Sequence, residues 1–104
     1  MNQKSFVSTM RKGFKMTFEN GLTASVQWGA GNYCENRNTG DMYFTTDAAS
    51  DTAEVAVIDR FDRFLNANDF VPEECSDGMD NVVGWLTADQ VVEFLHNVKH
   101  ARKV

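Results

Sequence analysis

The chain has 104 residues, 42% hydrophobic and 24% charged, with a net charge of −5. That is enough apolar material for one modest core. No run approaches the ~18 apolar residues of a membrane span, and the acidic balance excludes the basic stripe of a nucleic-acid binder. The charge is uneven: residues 1–37 carry five basic and two acidic side chains, residues 38–98 two basic and thirteen acidic, and the last six add three basic ones. The opening stretch, MNQKSFVSTMRK, lacks the apolar centre of a signal peptide, which predicts a cytoplasmic protein. In a reducing compartment the two cysteines, Cys34 and Cys75, are expected to be free thiols.

Residues 1–12 are mostly polar. Phe6 and Met10 are expected to anchor them to the core as a short strand, a helical turn or an extension of the next strand. Gly13 to Trp28 predicts a β-hairpin. Phe14, Met16 and Phe18 alternate with polar residues in the first arm, as do Leu22, Ala24, Val26 and Trp28 in the second, which is the period of a strand with one dry face. Asn20-Gly21 between the arms suits a type I′ turn. A two-residue loop, however, would set Phe18 opposite Thr23, so a bulge or a longer loop is expected to bring the apolar residues into line.

Gly29 to Gly40 holds three glycines and three asparagines and predicts a loop. Successive backbone N–H groups in such a loop can cradle an anion, with Asn32, Tyr33, Cys34 and Arg37 as candidate ligand-binding residues. It has neither a P-loop ending nor a GxGxxG opening a helix. The alternative is a plain connection in which Tyr33 packs down and Cys34 is buried as a small hydrophobe.

Residues 41–46 predict a short strand with Met42 and Phe44 on one face, and residues 47–52 a turn. Ala53 to Asp59 is apolar on both faces, as a central strand would be, followed by a turn at 60–62 and a returning partner at 63–66. From Ala67 to Asn81 the chain is polar and acidic, with Pro72 halting regular structure. Glu73, Glu74, Asp77 and Asp80 gather around Gly78 without EF-hand spacing, so no metal is expected there. They are instead the candidate partner-binding residues of an acidic surface. Asn81 to Leu86 is the last predicted strand, with Gly84 marking a bulge or close backbone contact. Thr87-Ala-Asp-Gln90 is a capping box. It opens an amphipathic helix to about Ala101, whose stripe is Val91, Phe94, Leu95 and Val98 with Val92 at its margin. His96 and His100 are four apart but lack a third ligand, so they are placed on the solvated edge. A Cys/His catalytic pair would need a base beside Cys34, and nothing in the sequence supplies one.

The stretches GFKMTFENGLTASVQWGAGNYCENR, TAEVAVID and VVGWLTADQVVEFLHNVK resemble a pattern in small uncharacterised proteins of tailed bacteriophages and their bacterial hosts. The resemblance covers about half the chain and implies a small accessory protein of the bacterial cytoplasm, with no catalytic residues to carry over.

The predicted fold is a single α+β domain over residues 1–104: a twisted, mainly antiparallel sheet of four to six strands with one C-terminal helix across a face. Antiparallel pairing follows from links too short for crossover helices. The expected function is a non-catalytic interaction module without a cofactor, binding a host or phage protein. Alternatives are a nucleotide or other anion binder using residues 29–40, and a structural homodimer.

Overall fold

A computed structural model describes residues 4–39, 46–78 and 80–102. Six strands form one antiparallel sheet: β1 (Phe6–Ser8), β2 (Gly13–Thr17), β3 (Thr23–Gln27), β4 (Ala53–Ile58), β5 (Phe64–Leu65) and β6 (Val83–Leu86). Neighbours run β1-β2-β3-β4-β5. The outer edge of β4 is divided: Val57 and Ile58 pair with β5, while Ala53 and Val55 pair with β6. A single helix, α1 (Ala88–Lys99), packs on one face, giving the expected α+β architecture.

The hairpin of β2 and β3 shows why the sequence needed more than two residues at its turn. The Phe18 amide donates to the Leu22 carbonyl at 2.9 Å, and the Gly21 amide to the Phe18 carbonyl at 3.0 Å. Residues 19–21 therefore form a three-residue loop in which Gly21 takes the left-handed conformation (φ 89°). This is the type I turn plus bulge geometry, not the type I′ turn that Asn20-Gly21 suggested, since Asn20 has no positive φ. With that loop, Phe14 stands opposite Val26 and Met16 opposite Ala24, which puts the apolar residues of both arms on one face.

Left-handed residues occupy the preceding turn instead. Between β1 and β2 the Lys12 amide donates to the Thr9 carbonyl at 2.9 Å. The central residues, Met10 (φ 46°) and Arg11 (φ 62°), both have positive φ. Phe6 and Met10 do not anchor to the core, contrary to expectation: they are 74% and 66% exposed. Among the described residues β1 is the edge strand of the sheet, and all three of its residues are exposed, so this end of the chain is not drawn into the core.

The core lies between α1 and the sheet. Leu22, Ala24 and Val26 meet Val55 and Val57, then Val83, Leu86, Phe94 and Val98, all buried. Burying each large side chain contributes roughly 1.5–3 kcal/mol. Trp28 closes one end, its ring edge-on to Phe14 at 6.1 Å and its indole N–H donating to the Ala48 carbonyl at 2.9 Å. The capping box of α1 is formed as its residues predict: the Gln90 amide donates to the Thr87 hydroxyl, and Gln90 Oε1 accepts from the Thr87 amide at 2.9 Å.

In the acidic connection, two short 3-10 turns at Ala67–Asp69 and Glu73–Cys75 appear where no regular element was expected. Asn68 organises the rest. Its Oδ1 accepts from the Ser76 hydroxyl and the Asp77 and Gly78 amides, and its Nδ2 donates to the Asp80 carbonyl at 2.8 Å. The strand expected over 41–46 falls almost wholly outside the described residues.

Candidate functional site

The loop after β3 is held by side chains that reach from its own asparagines and from β4. The Gly29 amide donates to Asn32 Oδ1 at 2.9 Å, and Asn36 Nδ2 donates to the Trp28 and Ala49 carbonyls. Both carboxylate oxygens of Glu54 are taken by the loop: Oε1 accepts from Asn32 Nδ2 at 3.1 Å and Oε2 from the Tyr33 amide at 3.0 Å. Further amides are used internally, Gly31 to the Arg37 carbonyl, Cys34 to the Asn32 carbonyl and Glu35 to the Thr52 hydroxyl. An anion cradle needs amides free to point at one spot. The amides of residues 31–35 are spent in this way, and the Glu54 carboxylate already stands against the loop. Cys34 is fully buried, its thiol donating to the Gly29 carbonyl at 3.7 Å, as a small hydrophobe would be.

Tyr33 does not pack down. It is 38% exposed, and the Arg37 guanidinium lies 4.3 Å from its ring centroid. Its backbone meets β6 directly: the Trp85 amide donates to the Tyr33 carbonyl at 2.9 Å. Gly84 makes this approach possible, because a Cβ there would collide with the Cβ and carbonyl oxygen of Tyr33. That is the close contact the glycine predicts.

β6 itself breaks step at this point. Val83 and Leu86 both face the core although they are three residues apart, and the pairing to β4 shifts between Ala53 and Val55. The break falls on Trp85, which has φ 66° and a side chain 55% exposed. A bulky residue on left-handed backbone is strained by roughly 1–2 kcal/mol, and such strain gathers at functional positions.

Tyr33, Val82, Gly84 and Trp85 line a cavity of about 360 Å³ together with Asp77 and Asp80 from the acidic connection. The structure thus joins residues from both predicted groups, Tyr33 from the glycine-rich loop and Asp77 and Asp80 from the acidic one, around a tryptophan that sequence reasoning did not select. Asn32 and Cys34 serve the loop's own structure, and Arg37 braces Tyr33. Glu73 and Glu74 do not line this cavity; both are exposed, and Glu74 accepts from Gln90 Nε2 at 3.5 Å. Trp85 escaped selection because period-2 alternation assigns it to the same side as Val83. The signal that marks it is the apolar spacing of three between Val83 and Leu86.

No family model matches the chain, and no curated protein or solved structure is significantly similar to it.

The remaining reactive side chains lie elsewhere. Cys75 is partly buried, and burial, then the negative charges of Glu74 and Glu93, push its thiol pKa up, which keeps it protonated and a poor nucleophile. His96 on α1 and His100, which caps its C-terminal end, are exposed with ring centroids 4.3 Å apart. Among the described residues no three His, Cys, Asp or Glu side chains group as a metal site, and no helix is long and apolar enough to cross a membrane.

Proposed function

We propose that the chain is a non-catalytic interaction module that captures another protein through the cavity between Tyr33 and Trp85, which Asp77 and Asp80 also line. The observation that carries this reading is the exposure of Trp85 on strained backbone, facing a cavity that two separate loops build around it. Exposed Trp and Tyr rings in a pocket are the side chains that most often dominate a protein interface. Carboxylates at the rim favour a basic partner and speed its approach. The resemblance to phage-type accessory proteins makes that partner a host protein of the bacterial cytoplasm.

The test is capture from bacterial lysate with the whole chain as bait. The wild type should retain a partner reproducibly, the Tyr33→Ala/Trp85→Ala double variant should lose it, and Glu73→Lys/Glu74→Lys should weaken it. Repeated failure of the wild type to retain anything would sink the reading.

The open edge of β1 supports a second reading, a homodimer. Phe6 and Val7 stand exposed on a strand that, among the described residues, is paired on one side, and unpaired edges template pairing with another chain. Light scattering over a range of concentrations decides it: a strict monomer ends it.

A further inference from the structure

We infer that the Tyr33–Trp85 cavity receives an arginine side chain of the partner protein, its guanidinium lying on aromatic ring and reaching Asp80. The inference rests on the interaction-module reading and specifies the chemistry of its site. Three features lead to it. The cavity is walled by two aromatic side chains, Tyr33 and Trp85, both open to solvent. Carboxylates of Asp77 and Asp80 line the same space. And the chain already makes this kind of contact for itself, with the Arg37 guanidinium 4.3 Å from the Tyr33 ring centroid, while Arg37 is not among the residues that line the cavity.

Each feature selects the same ligand class. Ring faces carry negative quadrupole charge and attract cations, tryptophan most strongly. A carboxylate accepts two parallel N–H bonds from a guanidinium, a geometry an ammonium cannot match. An anion would meet the two carboxylates, and a purely apolar side chain would desolvate them without adding a bond in return. Asp80 is held in place at the cavity, because its backbone carbonyl accepts from Asn68 Nδ2 and its Oδ1 from the Asn81 amide at 2.7 Å. The stretch 38–98, which supplies both carboxylates, carries thirteen acidic side chains against two basic ones.

The experiment is an NMR titration of the whole 15N-labelled chain with three short blocked peptides that differ only at their central residue: arginine, lysine, or citrulline, the uncharged isostere of arginine. The indole N–H of Trp85 is the reporter, and that of half-buried Trp28 the internal control. The arginine peptide should shift the Trp85 signal saturably. Lysine should bind more weakly, and citrulline roughly tenfold more weakly than arginine, as both cation–π attraction and charge-assisted bonding are lost. Asp80→Asn should weaken the arginine peptide severalfold, with the Trp28 signal unmoved as proof of an intact fold. Equal response to arginine and citrulline, tighter binding of lysine than of arginine, no Asp80→Asn effect, or no Trp85 shift at all would each overturn the inference. The two readings fail separately: a partner captured through Tyr33 and Trp85 while the arginine peptide leaves Trp85 unmoved rejects only the arginine assignment. An arginine peptide that binds while lysate yields no partner rejects only the interaction module.

Discussion

Asn20 shows how one side chain can join distant parts of a chain. Its Oδ1 accepts from the Leu22 amide at 3.0 Å, shaping the hairpin loop, while its Nδ2 donates toward the carbonyls of Val98, Lys99 and Ala101 at 2.8, 3.3 and 3.1 Å. Those carbonyls lie at and just past the end of α1, where the helix leaves acceptors open to outside donors. Asn20→Ala should therefore lower unfolding free energy by about 1–2 kcal/mol in urea melts. Asn20→Asp should cost more, since it sets an anion against the negative end of the helix dipole. The sequence marks Asn20 as a turn residue, but its partners lie some eighty positions away, beyond any local pattern. Asp59 acts over a short range. Its carboxylate accepts from the Phe61 and Arg63 amides and from Arg63 Nε, at 2.8, 3.0 and 2.9 Å. The Arg63 amide foremost, with these other donors, holds its pKa below the usual carboxylate range against the opposing effect of burial. A carboxylate depressed in the folded state contributes stability above its unfolded pKa, and that contribution is lost as pH falls through the folded value. Unfolding free energy should therefore fall with pH below about 4. Asp59→Asn should reduce the steepness of that fall, as read by denaturant melts across the acid range.

At the scale of elements, alternation and capping were legible and turn chemistry was legible only in part. The residues of β2 and β3 announce each other as a hairpin, and those of β4 and α1 announce their own element, because their apolar side chains recur at strand or helix spacing. Even the need for a longer hairpin loop follows from matching apolar faces. What local signals assign wrongly is which turn goes left-handed. Asn20-Gly21 offers the usual composition for a two-residue left-handed turn, yet only Gly21 there has a positive φ, and the turn with two such residues is Met10-Arg11, imposed by pairing Phe6 with Met16 and Ser8 with Phe14. Met10→Asn should consequently stabilise the fold by ~0.5–1 kcal/mol, since asparagine tolerates this conformation better than methionine. Thermal and urea midpoints would both rise, and a fall in either would count against the account. The order within the acidic connection was illegible for another reason. Asn68 imposes it through bonds to residues eight to twelve positions away, and asparagines are too common in loops to signal such a role.

For the whole molecule, short connections and one capped helix were enough to give the α+β class and antiparallel pairing. Strand order beyond the hairpin was not given, because the sharing of one edge of β4 by β5 and β6 depends on where a long irregular connection returns. That return brings Trp85 to Tyr33, so the candidate site could not be assembled from sequence even though Tyr33, Asp77 and Asp80 were singled out separately. The charge distribution adds a consequence of its own. If the carboxylates at the cavity meet a basic partner, salt should weaken capture. Raising ionic strength from about 0.05 to 0.5 M shortens the screening length severalfold and should reduce retention mainly by slowing association. Capture that is indifferent to salt would place the contact on apolar surface instead.

The bonds of Asn20 also tie two fraying motions together. Unwinding of the last turn of α1 withdraws the carbonyls that hold this side chain, and opening of the hairpin tip removes the donor that quiets that turn. Amide hydrogen exchange at Leu22 and at His100 should accordingly share one opening free energy, and a substitution at either end should accelerate both.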